Sequence, residues 1–458
     1  MSTDISPDTS IVKALRKTRM PQTQRNRELW LILFALGLSG AALTLVQLGA
    51  LGHIEPEILS LGGGLAVLVL ALHVTLRIVA ANADPFVVPI ATLLTGFGIA
   101  MIYRIDIARG LEGWSALSVR QLAWTAISLA GAIVVVIALR NYRVLFRYTY
   151  VFGLAGILLL LLPFVPGLRI PGANADVWVS VGNLFTFQPG EMAKLCLAVF
   201  FAGYLVRTRE SLTSVGTRFL GITWPRAREL GPVLVIWLVS LAIIVVQRDL
   251  GTGLLLFGMF IAMLYVATGK TSWVLIGLTL VVLGAVAATR VLPYVRGRFA
   301  AWLDPFNPEV IEAAGGSYQL IQGLFGLAHG GLIGRGLGQG RPHLTPLSQS
   351  DYIIPSLGEE LGLIGLFAIL CLYMLFVSRG IRIGMAGQDD FGKLLATGLS
   401  FTIALQVFIM VGGVTRVIPL TGLTTPSSPR AVPRSWPTGS SWRCCCASPT
   451  ACAASPGW

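Results

Sequence analysis

The sequence predicts an all-α polytopic membrane protein of about eleven transmembrane helices with one large extracytoplasmic loop. Three observations lead there. Of the 458 residues, 55% are hydrophobic and only 12% charged, about half the charge that a soluble domain carries, and the mean hydropathy is +0.76. Apolar runs near the roughly 20 residues needed to cross a bilayer recur along most of the chain. The runs are continuously apolar rather than alternating in short segments, which argues against a β-barrel.

The runs fall at 29–51, 57–80, 86–104, 119–139, 145–165, 190–206, 229–247, 250–269, 272–290, 353–378 and 393–414. The net charge of +13 points to no nucleic acid, because the basic residues lie in short clusters between apolar runs. That is the positive-inside pattern. The segment 1–28 carries Lys13, Arg16, Lys17, Arg19, Arg25 and Arg27 just before the first run, which places the N-terminus in the cytoplasm. It has no apolar stretch ahead of a small-residue cleavage site, so no removable signal peptide is expected. In this frame Arg140–Arg147, Arg207–Glu229, Lys270 and Arg379–Lys393 are cytoplasmic, and 166–189 and 291–350 lie outside.

The interval 291–350 is too long for an idle connector in a compact bundle. It is rich in Gly and carries Arg296, Arg298, Asp304, Glu309, Glu312, Arg335, Arg341 and His343. Its GRGLGQG stretch (Gly334–Gly340) superficially matches a dinucleotide fingerprint. No strand precedes it and no βαβ unit surrounds it, so that reading is discarded.

Ionisable residues inside spans are functional candidates by default. FQPGEMAKL places Glu191 and Lys194 on one helix face, just after Pro189 opens the helix. As a pair they either fix helix packing or line a polar cavity. Asp249 in VVQRDLGTG reads as a helix N-cap. Asp351 shares that reading, since Ser350 or Asp351 could cap the following helix. Glu359 and Glu360 fall about two turns into that helix, where solvated carboxylates are not expected, so at least one should face a cavity or a basic partner such as Arg296 or Arg298.

After RVIPLTGLTTP the pattern breaks. Residues 426–458 hold four of the six cysteines, many Pro, Ser and Arg, and no spanning run. Three consecutive Cys make a poor disulfide framework. A shifted reading frame accounts for them better, since CTG repeats coding Leu become TGC repeats coding Cys.

The ordered set FQPGEMAKL, QRDLGTG, WLDPFNPE, SYQLIQGLFGLAHGGLIGRGLGQG, SDYIIPSLGEELGLIG and GGVTRVIPLTGLTTP resembles the shape, elongation, division and sporulation (SEDS) family, and within it an actinobacterial member of the RodA/FtsW type. The resemblance covers about 86–425, after two extra spans at 29–80. It implies a peptidoglycan glycosyltransferase that polymerises lipid II at the outer face of the plasma membrane, for elongation or division. A class B penicillin-binding protein would be the transpeptidase partner, and a divalent cation, Mg or Mn, would support activity. The family's essential aspartate falls on Asp351. The Glu and Lys of its QPSE-type motif fall on Glu191 and Lys194, with Gly190 where Ser is usual. The family's Ser-Tyr-Gly-Gly-Ser-Ser motif and last helix are replaced here by the aberrant tail.

Such a transfer needs a base for the acceptor hydroxyl and positive charge for the departing pyrophosphate. Asp351 is the candidate base, and Arg296, Arg298, Arg335 and Arg341 are candidate pyrophosphate ligands. Glu359, Glu360 and Asp249 would support the site. Two rival readings are a lipid II flippase, with Glu191 and Lys194 as its translocation device, and a scaffold for a transpeptidase. The large polar loop with its border carboxylate favours the enzyme.

The charge pattern makes a first prediction. On a cysteine-free background, a cysteine at Arg218 should be protected from an impermeant thiol reagent in intact cells, and one at His343 should be labelled. The reverse result rejects the topology.

Overall fold

The protein is described here by a computed structural model covering residues 23–80, 83–138, 142–165, 177, 179–181, 185–212, 218–219, 222–223, 230–313, 316–387 and 389–421. The basic cluster from Lys13 to Arg19, much of the 207–229 loop and the tail 426–458 lie outside the described residues. Among the described residues, ten helices are long and apolar enough to cross a membrane, and a shorter apolar helix spans Thr149–Phe164.

Two helices come first, α1 (Thr23–Leu51) and α2 (Glu57–Val79). They are followed by α3 (Val87–Arg109), α4 (Leu117–Ala138), the short α5 (Arg143–Arg147) and α6 (Thr149–Leu161). A small hairpin, β1 (Val179–Val181) against β2 (Phe185–Phe187), pairs Ser180 with Thr186 and leads into α7 (Pro189–Leu212). A second antiparallel pair, β3 (Arg218–Phe219) and β4 (Ile222–Thr223), precedes α8 (Leu230–Gln247). Then come α9 (Leu250–Thr268) and α10 (Ser272–Val291). The long polar interval folds into α11 (Pro293–Leu303), α12 (Pro308–Glu312) and α13 (Tyr318–Gly330). The last two helices are α14 (Ile353–Ala386) and α15 (Asp390–Val414).

Apolar packing joins these helices in three clusters. Ile32, Leu43, Val46, Leu65 and Ile99 hold α1 and α2 against α3. Leu94, Met101, Ile353, Leu357 and Met410 join α3 to α14 and α15. Ala198, Phe201, Phe260, Met263 and Trp273 centre the α7–α10 half. Large apolar side chains also face outward, Trp30 at 72% exposure and Phe34 at 68% among them. A helix apolar on all sides suits lipid contact.

Polar groups gather at the two ends of the bundle. At one end Arg25 donates to the Ala80 and Ala83 carbonyls (2.9 and 2.6 Å). Arg379 pairs with Asp84 at 3.6 Å and lies 4.1 Å over the Phe86 ring. Arg209 pairs with Asp390 at 2.7 Å, and Tyr142 donates to Asp389. At the opposite end Asp106 accepts from the Leu117 and Ser118 amides (3.0 and 2.7 Å), so it holds the first turn of α4. Asp249 caps α9 as the sequence predicts, accepting from the Thr252 amide and hydroxyl (3.1 and 2.7 Å). Consecutive long helices therefore run between the same two ends.

The α14 helix is broken. Gly362 sits at φ 70°, ψ −176°, a region open in practice only to glycine. In an unbroken helix the amides of residues 363 and 364 would reach back to the carbonyls of 359 and 360. Here Leu363 and Ile364 donate to the Gly331 and Leu332 carbonyls instead (3.0 and 3.1 Å). The Glu359 and Glu360 carbonyls accept from the Arg335 and Gly336 amides (3.0 and 2.9 Å). The glycine-rich segment after α13 thus supplies the partners that the break removes, which an apolar surrounding demands.

A side chain at the break has no room, since a Cβ at Gly362 would lie 2.2 Å from the Gly334 nitrogen. Gly362→Ala should therefore cost at least about 1–3 kcal/mol, read as a lower thermal unfolding midpoint in detergent. An unchanged midpoint would contradict the interlock.

Candidate functional site

The turn into α14 gathers polar residues and buries them. Ser348 and Ser350 are fully enclosed, and Asp351 keeps only 8% of its surface. The capping expectation for Ser350 and Asp351 is corrected here. Tyr352 occupies the N-cap position, and no side chain caps the helix. The reason is the turn before it, in which the Ser350 and Tyr352 amides both donate to the Leu347 carbonyl (2.9 and 3.3 Å). Leu347 takes a positive φ of 56° to make that turn. From α3, Arg109 donates to the Gln349 side-chain carbonyl at 3.0 Å and fixes the turn to the bundle.

The Tyr352 hydroxyl reports the charges nearby. Burial raises it above the usual phenol range, the Asp351 carboxylate raises it further, and the Arg298 guanidinium opposes both. Arg298 is thus within electrostatic reach of the Asp351 turn, while it donates to the Leu420 carbonyl at 3.1 Å.

Glu359 and Glu360 are buried, with 8% and 1% of their surface left. Their expected partners, Arg296 or Arg298, are not the ones observed. Arg104 of α3 takes that place, its Nε reaching Glu360 Oε1 at 3.2 Å and its Nη2 the Gly340 carbonyl at 2.7 Å. The other Glu360 oxygen accepts from the Gly338 amide at 3.0 Å. Glu359 accepts from the Arg341 amide at 2.9 Å. Arg296 instead folds back on the end of its own helix pair and donates to the Thr289 and Arg290 carbonyls. Arg104 was missed because the expected span ended on it, where a basic residue reads as a membrane flank. The available signal was an Arg and an Asp, Arg104 and Asp106, inside one 23-residue apolar helix.

Cations outnumber anions around His343. Burial lowers its imidazole below the usual range, and Arg104, Arg109 and Arg341 push the same way against Glu359. Such surroundings suit a bound anion. Arg335 and Arg341 are exposed, and Arg335 donates to the His329 carbonyl at 3.1 Å.

Glu191 and Lys194 lie deeper. Both are buried, and their charges meet at 2.7 Å. Lys194 also donates to the Gln406 carbonyl oxygen at 3.3 Å, which ties α7 to α15. Beside α15 lies an apolar groove of about 800 Å³ lined by α8, α9 and α10. It reaches Val295, Phe299 and Leu420, and the Leu420 carbonyl accepts from Arg298. Among the described residues no three His, Cys, Asp or Glu side chains come together as a metal site. Glu359 and Glu360 are already held by amides and Arg104, so a divalent cation at Asp351 would need most of its oxygens from elsewhere.

The family model described as the cell cycle protein FtsW/RodA/SpoVE matches residues 85–428. The Mycobacterium tuberculosis peptidoglycan glycosyltransferase RodA is 42% identical over 407 residues, covering 88% of this chain and 86% of that protein. The Mycobacterium leprae protein of the same name is 40% identical over 430 residues, covering 93% and 89%. Two solved structures share the fold. One is a chain from work on coordination of polymerization and crosslinking by a peptidoglycan synthase complex, with TM-score 0.51, 24% identity and coverage of 80% and 90%. The other is a variant of Thermus thermophilus rod shape determining protein RodA, with TM-score 0.51, 21% identity and coverage of 75% and 90%.

The Glu191–Lys194 pair lends itself to a stability test. Lys194→Met strands a buried carboxylate and should cost about 3–5 kcal/mol, whereas Glu191→Gln with Lys194→Met should recover most of it. Thermal unfolding in detergent reads both. A double variant no better than Lys194→Met alone would show that the pair is not the source of the loss.

Proposed function

The chain belongs to the FtsW/RodA/SpoVE family, and from that premise we propose that it is a peptidoglycan glycosyltransferase whose reacting centre is Asp351. The supporting observation is a buried carboxylate at the start of a membrane helix, with the Arg298 guanidinium within electrostatic reach of its turn. A lipid-linked sugar pyrophosphate has the matching parts. Its tail suits the groove, its pyrophosphate suits the arginines, and its sugars come to Asp351. The substrate we propose is lipid II.

In the transfer, the acceptor sugar hydroxyl attacks the anomeric carbon of the donor. A carbon–oxygen bond forms there as the bond to the lipid pyrophosphate breaks. The hydroxyl proton passes to the Asp351 carboxylate, and the pyrophosphate leaves with the bonding electron pair. A positioned base of this kind contributes about 10²–10⁴-fold. Arg298, which donates to the groove-lining Leu420, and Arg341 are the arginines we assign to steady the leaving group, with Arg296 and Arg335 as further candidate ligands. Glu359, Glu360 and Asp249 act on structure, holding the loop and the α9 turn, and Glu191 with Lys194 holds α7 to α15. A divalent cation, Mg or Mn, would bring charge to the pyrophosphate as a substrate-borne ion.

The basic bias of alternate loops supports a cytoplasmic N-terminus and a reacting end outside the plasma membrane. A class B penicillin-binding protein is the proposed transpeptidase partner, in keeping with the fold shared with a chain of a peptidoglycan synthase complex.

Asp351→Asn keeps the size and hydrogen-bonding capacity of the side chain and removes its ability to take a proton. Against a parent chain shown to polymerise purified lipid II in detergent, the fall should be at least about 100-fold. Turnover within tenfold of the parent at equal protein level would remove Asp351 as the base. A parent that polymerises nothing in detergent would argue against the enzyme itself.

A further inference from the structure

The stretch that matches the family begins at residue 85, yet α1, well ahead of it, touches the loop that surrounds Glu359 and Glu360. We propose that the C-terminal turn of α1 is a positioning clamp for that loop, with Gly49 as the contact that sets it. The clamp stands on the contacts alone; its effect on catalysis rests on the glycosyltransferase reading.

The contact is backbone on backbone. A Cβ at Gly49 would lie 2.4 Å from the Leu337 carbonyl oxygen and 3.1 Å from the Gly338 Cα. Seen from the loop, a Cβ at Gly338 would lie 2.6 Å from the Val46 carbonyl oxygen, and Gly338 has φ +82°. Glycine on both sides lets the two chains meet. Gln339 then donates to the Gly49 carbonyl at 3.0 Å, satisfying one of the carbonyls left open at the end of α1.

The same turn is fixed from its other side. Gln47 is fully buried and donates to the Tyr103 hydroxyl at 2.6 Å, while its carbonyl oxygen accepts from the Glu55 amide at 3.0 Å. Tyr103 adjoins Arg104, which holds Glu360, and Glu360 holds the Gly338 amide. The contacts close a ring from α1 through the loop, α14 and α3 back to α1. Packing of α1 on α3 needs none of this. Further up the helix Ser39 sits against Gly96, where a Cβ would come 1.9 Å from its hydroxyl.

The helix carries its own control. Gly40 has nothing within 4 Å of a built Cβ. Alanine is a better helix former than glycine, so Gly40→Ala and Gly49→Ala both favour α1 itself. Only Gly49→Ala drives a methyl into the loop.

The test uses the full chain in detergent, with hydrogen exchange of the amides in 334–344 and, separately, lipid II polymerisation. Gly49→Ala should speed exchange in that segment by about tenfold, with the rest of the chain and the unfolding midpoint at parent values. Turnover should fall on the order of tenfold with little change in KM, as misplacement of a site loop predicts. Gly40→Ala should match the parent in all of these. Exchange at the parent rate in Gly49→Ala, an equal rise in Gly40→Ala, or faster exchange throughout the chain would each overturn the clamp. Local loosening with parental turnover would overturn its role in positioning. A parent without polymerase activity, with the exchange result intact, would sink the glycosyltransferase reading and leave the clamp standing.

Discussion

A helix interrupted among apolar neighbours must find new partners for the backbone groups it frees, and the Asp351 end of this protein is organised around that demand. The break at Gly362 in α14 leaves two amides and two carbonyls to be satisfied, and the segment 331–336 satisfies all four. The ladder brings Gly334 so close to the helix that a Cβ there would lie 2.2 Å from the Glu360 carbonyl oxygen. That is the physical content of GRGLGQG, which has no connection with nucleotide phosphates. Gly334, Gly336 and Gly338 all have positive φ, so the loop winds in a way that other residues resist. Once the loop is pinned, its next amides, at Gly338 and Arg341, point at the carboxylates of Glu360 and Glu359.

Those carboxylates show how buried charge can be structural and still shape a reacting centre. Glu360 is neutralised by Arg104 from a different helix and by an amide, which makes its burial tolerable. Glu191 and Lys194 solve the same problem three residues apart on one helix. Asp351 differs in place. It stands at a helix entrance, and its turn is closed by the Leu347 carbonyl.

Much of this was legible in the sequence wherever the signal is local. Apolar length gave the spans, and the tight turn at Arg248 and Asp249 gave the cap on α9. The i,i+3 spacing gave the Glu191–Lys194 pair. The failures are all long-range or competitive. Arg104 and Glu360 are 256 residues apart, and no pattern in a single chain couples positions so distant. The assignment of Arg296 and Arg298 as partners followed from proximity in sequence alone. Asp351 resembled a cap because a helix follows it, but the helix begins one residue later, with Tyr352 at the N-cap position. The break at Gly362 was hidden because a lone glycine in a long apolar run reads as a tolerated helix residue.

In the proposed reading the apolar groove and the cations also explain each other. A lipid-linked substrate must keep its tail in an apolar place while its charged group meets cations, and the two places must adjoin. Here the apolar groove beside α15 and the Arg298 guanidinium meet at the Leu420 carbonyl. Arg104, Arg109 and Arg341 extend the positive field toward His343. Three separate parts of the chain supply these groups. Arg104 and Arg109 come from α3, Arg298 from α11, and Arg341 from the loop that the α14 break holds in place. The break at Gly362 therefore holds the loop that brings Arg341 to the α3 arginines.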